Sequence, residues 1–256
     1  MKLTGLSGWQ IASGRSLLAS LFIFLAFREA RVRPRRAVVF AAAAYAGTVV
    51  LFAVANKLTT AANAIFIQDT APLWVVIFSP LLLGERSTPG ELLSIPLYAM
   101  GLALFFLDEL SAGQVVGNLV ALASGVCFAF CIIGLRRVSG SAIAAVAFGN
   151  LLAAVIALPA WKGAEMPSAR DLLLLGYLGV FQLGLAYVFF ARGVQHTPAV
   201  EASLLCLLEP VLNPIWTFLL AGERPGRWAL VGGAVVLGVT AARTAWSARG
   251  ARGASS

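Results

Sequence analysis

A helix must present about 20 apolar residues to cross the hydrocarbon core of a bilayer, and this chain supplies such runs along nearly its whole length. "AVVFAAAAYAGTVVLFAVAN", Ala37 to Asn56, carries no charge. A membrane β-barrel would alternate apolar and polar residues in strands of about ten. These runs are unbroken instead, and a signal peptide accounts for no more than one of them. The chain is 60% hydrophobic and 12% charged, with a mean hydropathy of +0.89. A soluble globule with that composition would expose far too much apolar surface. Backbone polar groups cannot face lipid unpaired, so the expected fold is an all-α, polytopic helical bundle.

Nine spans are predicted: Trp9–Phe27, Ala37–Asn56, Ala61–Leu83, Glu91–Leu107, Val115–Leu135, Ser141–Trp161, Asp171–Ala191, Pro198–Ala221 and Trp228–Ala245. The connections between them are short, and none separates soluble domains. With the N-terminus outside, the loops on the cytoplasmic side carry 12 Lys and Arg against 6 outside. "REARVRPRR" contributes much of that bias, so the C-terminus is expected in the cytoplasm. The formal net charge of +8 therefore reads as an orientation signal in a cell membrane rather than as nucleic-acid binding. Cys127, Cys131 and Cys206 all lie in apolar runs. Three cysteines without a CxxC form neither a disulfide framework nor a zinc site.

The chain repeats itself. "LLLGERSTPG" (Leu81 to Gly90) and "LLAGERPGRW" (Leu219 to Trp228) close two apolar runs with the same Gly-Glu-Arg. At a shift of 138 residues, Thr59 meets Thr197, Pro72 meets Pro210, and Gly84-Glu85-Arg86 meets Gly222-Glu223-Arg224. "SLLAS" (Ser16 to Ser20) pairs with "NLLAA" (Asn150 to Ala154) at a shift of 134. The expected units are 1–108, with four spans, and 115–245, with five, then a basic cytoplasmic tail over 246–256. The partner of Val115–Leu135 would fall before residue 1. The reading is therefore nine visible helices of an expected ten, with the start misplaced, or nine spans native to the protein, or a chain inactive alone. Five spans per unit place the two copies in opposite orientations, a common plan of secondary transporters with sites near the midplane.

The proline-to-Gly-Glu-Arg helix ends, the run "LEPVLNPIWTFLLAGE" and the five-plus-five plan resemble the EamA family of the drug/metabolite transporter superfamily. The resemblance covers about residues 9–245 and is clearer in the second half. It implies a ten-helix bundle with both termini cytoplasmic when complete, a central cavity and alternating access. Substrates across the family include amino acids, other metabolites and toxic compounds, and export is the commonest direction. In the Gly-Glu-Arg motif, Gly allows the left-handed residue that ends a helix. Glu and Arg stand at the headgroups. That structural role is preferred to substrate contact, with gating by a pair that breaks as the bundle rocks as a further reading.

Ionisable residues inside spans mark candidate sites because they are costly in lipid. Arg15, Asp69, Glu201 and Glu209 qualify. Arg15 either lines a cavity or snorkels to the interface. Asp69 sits mid-span beside Gln68. Glu201, Glu209 and Asn213 fall in one i, i+4 row on a proline-rich helix, with Asn63 matching Glu201 in the other copy. Gln182 and Tyr187 are further candidates for lining the same space. The alternative for each is interhelical hydrogen bonding or packing. "GGAVVLG" (Gly232 to Gly238) suits close helix packing or a homodimer.

The pattern is that of a secondary transporter exporting a small metabolite, amino acid or drug-like compound by alternating access. The acids suit a cationic or zwitterionic substrate, or proton coupling through Glu209. The expected partners are lipid and a small molecule, with no cofactor, metal or nucleic acid. The rivals are a non-transporting membrane scaffold or subunit and an intramembrane enzyme. His196 is the one histidine and lies in a loop, which leaves a metalloprotease or a triad hydrolase short of ligands and bases.

Overall fold

The computed structural model describes residues 5–105, 107, 114–138, 140–164, 166–212 and 227–253. The described residues are helical and contain no strand. In chain order they form α1 (Gly8–Ala26), α2 (Arg36–Leu58), α3 (Ala61–Gln68), α4 (Ala71–Leu82), α5 (Pro89–Phe105), α6 (Val115–Arg137) and α7 (Ala142–Ala157). Next come α8 (Ala169–Tyr177), a π-helical segment (Leu178–Leu185), α9 (Ala186–Val194), α10 (Ala199–Cys206) and α11 (Arg227–Gly253). Among the described residues six stretches are long and apolar enough to cross a membrane: Gly8–Ala26, Arg36–Leu58, Ala61–Leu82, Val115–Arg137, Ala142–Trp161 and Ala169–Val194. Pro89–Leu104 and Leu230–Arg243 are shorter apolar helices.

Local chemistry sets the helix starts. Ser7 and Gln10 form a capping box on α1, and Ser168 and Asp171 form another on α8. Thr88 and Glu91 exchange the same pair of bonds at the start of α5: Thr88 N–H donates to Glu91 Oε2 at 2.7 Å, and Glu91 N–H to Thr88 Oγ1 at 3.3 Å. Each box satisfies donors that a helix start leaves open.

The bundle is apolar outside and small or polar where helices touch. Leu25 and Leu81 are more than three-quarters exposed, with Leu93, Val39 and Ile77 also out. Such a surface suits lipid rather than water. Inside, Ser13 Oγ donates to Ala154 O at 3.0 Å and Ser20 Oγ to Ala147 O at 3.1 Å, stitching α1 to α7. Along α2 and α6, glycines let the backbones meet. A Cβ at Gly117 would stand 2.7 Å from Leu58 O, one at Gly47 2.8 Å from Cys127 Sγ, and one at Gly134 2.9 Å from Ala41 Cα. The contact therefore runs the full length of both helices, a close approach that only small residues permit.

These contacts interleave the two halves of the chain. α2 of the first half is zipped to α6 of the second, α1 and α2 both pack on α7, and α5 packs on α11. The halves are not two separate bodies meeting at one face.

Four predicted spans are not single α-helices; one of them, Ser141–Trp161, is α7 followed by a 3-10 turn at Leu158–Trp161. Ala61–Leu83 is α3 and α4 with a break at Asp69 and Thr70. The segment from Pro198 stops at Cys206, turns at Leu207 and resumes as helix at 208–212, beyond which it lies outside the described residues. Asp171–Ala191 runs through the π-helical segment. The two breaks share a cause. A proline lacks an N–H and its ring crowds the carbonyl four residues back. α3 ends at Gln68, four before Pro72, and α10 ends at Cys206, four before Pro210.

Candidate functional site

The two breaks fall at positions matched by the 138-residue shift, because Asp69 and Leu207 are 138 apart. Both open onto one space. A cavity of about 60 Å³ lies between them, lined by Phe66, Asp69, Thr70, Tyr98, Leu204 and Leu207 among others. That volume holds a few waters, not a metabolite. α5 supplies one wall with Ile95, Tyr98, Ala99 and Leu102, and Tyr98 Oη lies 2.8 Å from Thr240 Oγ1 of α11.

Asp69 is the C-cap of α3. Its Oδ2 is buried and meets no hydrogen-bond partner among the described residues. Thr70 Oγ1 donates to Ile67 O at 2.7 Å, and Thr70 N–H donates to the same carbonyl at 3.2 Å, which closes the turn at the break. Glu209 stands in the helical turn just past the second break and is exposed. Asp69 and Glu209 lie close enough to act on each other electrostatically. Glu201 is half-buried in the first turn of α10. The break at Leu207 interrupts the expected row from Glu201 to Glu209. Asn213, the end of that row, lies outside the described residues.

Arg15 does not snorkel. It is 1% exposed in the bundle interior. Nη2 donates to Val49 O at 2.8 Å and Nη1 to Gln182 Oε1 at 3.4 Å. The π-helical segment that carries Gln182 presses on α1 here, since a Cβ at Gly179 would stand 2.7 Å from Arg15 O. Such segments widen a helix locally and recur at functional sites. Tyr45 and Tyr187 flank the guanidinium electrostatically and pack edge to face with centroids 4.8 Å apart. Asn150 Nδ2 donates to Tyr45 Oη at 2.9 Å. Tyr187 in turn lies within electrostatic reach of Glu209.

Asn63 and Gln68 do other work. Asn63 Nδ2 donates to Thr59 Oγ1 and to Asn118 Oδ1, both at 3.2 Å, in a knot at one end of the bundle. Gln68 Nε2 donates to Ser124 Oγ at 2.7 Å, and Ser124 Oγ donates to Thr48 O at 3.0 Å. Both amides bind helices together.

In the first Gly-Glu-Arg, Gly84 has φ of 71° just after the C-cap of α4. Glu85 is half-buried and tied to two other elements, while Arg86 is exposed. Pro72 is buried in the first turn of α4, and Pro210 is buried in the helical turn after Leu207. Gly222, Glu223 and Arg224 lie outside the described residues. Sequence reasoning misses Arg136, which enters it only as a charge for orientation. Its place at the end of a span, on the same side as the Glu85 loop, is the available signal.

Among the described residues no group of His, Cys, Asp and Glu is arranged to hold a metal.

Comparison with known proteins agrees with this architecture. The model of the EamA-like transporter family matches residues 1–107 and 115–242. An uncharacterized transporter of Archaeoglobus fulgidus is 28% identical over 192 residues, 74% of this chain and 69% of the relative. The pseudopaline exporter CntI of Pseudomonas aeruginosa is 26% identical over 238 residues, 89% of this chain and 83% of that one. The uncharacterized transporter YdeK of Bacillus subtilis is 27% identical over 214 residues, 77% and 71% of the respective chains. A solved crystal structure superposes with a TM-score of 0.78 at 18% identity, covering 93% of this chain and 87% of the other, which is a likeness of fold.

Proposed function

The chain belongs to the EamA-like transporter family, and from that premise we propose that this multi-pass membrane transporter is a secondary exporter of a small cationic or zwitterionic metabolite. The observation that carries the reading is the pair of helices broken at matching positions, with Asp69 at one break and Glu209 just past the other. Broken helices at membrane depth are tolerated where they line a cavity, and in transporters they build the midplane site. The acids attract the positive part of the substrate or carry a coupling proton. Arg15, reached past Tyr187, suits a carboxylate at the other end of a zwitterion. The name of one relative as an exporter supports the direction.

The cavity is too small for such a substrate in this conformation, so transport requires the helices around it to part. Because α1, α2, α6 and α7 interleave, we assign them the role of frame. The parts that shift are α4 with the start of α5, and α10 with the helical turn after it. In this scheme the two sequence repeats do not move as separate bodies. The ends of α4, α6 and α9 are assigned to the cytoplasm, with the C-terminus, on the distribution of Lys and Arg.

The test is flux into proteoliposomes for a panel of amino acids, polyamines and organic cations, with and without a pH gradient. A zwitterionic or cationic compound should move, and Asp69→Asn and Glu209→Gln should each lower its flux roughly tenfold or more. Flux unchanged in both variants would sink the assigned site, and no flux of any compound would sink the transporter reading.

A further inference from the structure

All three ion pairs among the described residues lie at one end of the bundle. Each joins an acid before residue 108 to an arginine after residue 115: Glu85 to Arg136 at 2.9 Å, Glu29 to Arg192 at 3.2 Å, and Glu91 to Arg243 at 3.3 Å. The Glu85 pair differs from the others in what it ties together. Oε1 accepts from Arg136 Nε at the end of α6. Oε2 accepts from Ala199 N–H, at 2.9 Å, at the start of α10. Glu85's own carbonyl accepts from the fully buried Ser79 Oγ of α4 at 3.3 Å. Arg136 Nη1 also donates to Gln195 O, and Gln195 Nε2 donates to Val138 O. One carboxylate therefore fastens the outer end of α4 and the outer end of α10 to the frame helix α6.

α4 and α10 are the two outer segments of the broken helices. Each leads from this end of the bundle down to a break beside the cavity. Parting α4 from α10 at this end requires Glu85 to release the α10 N-terminus. The carboxylate is well placed to do so. It is half-buried, beside water at the membrane surface, where a charge pair is weak and the separated partners are readily solvated. Water can take the carboxylate's place at the α10 N-terminus, since a space of about 100 Å³ lined by Glu85, Arg86, Pro198 and Val200 adjoins it.

Building on the transporter reading, we propose that Glu85 is the positioning residue of the cytoplasmic gate: bound to Arg136 and to the α10 N-terminus it holds the substrate space shut on that side, and its release opens it. Gly84, not Glu85, supplies the backbone turn. A helix-stop role for the motif therefore predicts nothing special for the carboxylate.

Cys206, half-buried at the end of α10 and next in the chain to the cavity-lining Leu207, serves as the native reporter. With Cys127 and Cys131 changed to Ala, its modification by a charged, membrane-impermeant thiosulfonate is timed from the cytoplasmic and the external face of oriented vesicles. Glu85→Gln should speed labelling from the cytoplasmic face about tenfold, the sign of a population shift toward the open state. External labelling should not accelerate. Arg136→Gln should act in the same direction, and the double variant should add little to either. Unchanged cytoplasmic labelling in both single variants, or equal acceleration from both faces, overturns the proposal.

A second arm does not depend on those variants folding. In a background with all three native cysteines changed to Ala, Glu85→Cys and Arg136→Cys are joined by a reducible bifunctional thiosulfonate. Flux should stop, and return on reduction. Undiminished flux in the joined protein overturns the gate. The labelling arm needs no substrate, so a protein that labels as expected but moves nothing counts against the transporter reading alone.

Discussion

Glycine serves two separate ends in this chain, and they fail differently. Gly84 has φ of 71° and open space around the missing Cβ. Gly84→Ala therefore meets a conformational cost alone, about 1 kcal/mol for a left-handed alanine, and should lower the melting temperature by only a few degrees. Gly125 has ordinary helical geometry, but its Cβ would stand 2.9 Å from Gln68 O. That neighbour is backbone and cannot rotate away, so Gly125→Ala should destabilise the protein more than Gly84→Ala in the same detergent melt. Gly47 lies between the two cases, since the atom it would strike is Cys127 Sγ. Gly47→Ala should lose stability that Cys127→Ala largely restores, a coupling measurable as a double-mutant cycle. At this scale the sequence was partly legible. The φ of Gly84 could be read from its place after an apolar run. The burial of Arg15 could not, because a guanidinium a turn and a half from a helix end can reach water or turn inward. Only the approach of Gln182, 167 residues away, and of Val49 O decides it.

The broken helices belong to the scale of the element. Pro72 lies in the first turn of α4, where no intrahelical bond is lost to it. In Pro72→Ala the restored N–H can donate to Gln68 O and carry α3 straight into α4. The expected outcome is a protein as stable as the parent or slightly more so, with flux lowered because Asp69 is drawn into a regular turn. Hydrogen exchange at residues 69–73 measured beside flux checks both parts. Equal exchange and equal flux would mean that the proline does not hold the break open. The prolines were visible from the start, but their effect was not. Pro80 and Pro96 also sit inside apolar runs and leave α4 and α5 unbroken. At Asp69 and Thr70 the neighbours are turn formers, and the Thr70 hydroxyl bonds Ile67 O within the turn. At Leu207 no such neighbour exists, and the break there has no local signal beyond Pro210. A uniformly apolar run records that a segment is in the membrane and says little about where it bends.

For the whole molecule, apolar runs and loop charges made the class of fold legible, and the repeat pointed to matched positions. What the repeat left open was how the halves pack. Two similar halves suggest two bodies, yet α2 lies along α6 because glycines at 117, 47 and 134 face the other helix. Such pairings depend on which helix faces meet, and nothing in one copy records the face of the other. Orientation is a separate question. Replacing Arg28, Arg31, Arg33, Arg35 and Arg36 with Gln removes the densest block of positive charge. A mixed or inverted insertion is expected, read from the sidedness of labelling at single introduced cysteines. Uniform, unchanged sidedness would mean that the remaining loops suffice.

The bonds around Arg15 also have an order in time. Val49 is 34 residues downstream and Gln182 is 167. At ~5–20 residues per second of synthesis, the glutamine reaches the ribosome's active centre on the order of ten to thirty seconds after the arginine. During that interval α1 is a nascent segment with a guanidinium whose later hydrogen-bond acceptor has not been made. For Arg15 the demanding moment is therefore biogenesis, and the insertion machinery meets that charge well before the second half of the bundle can enclose it.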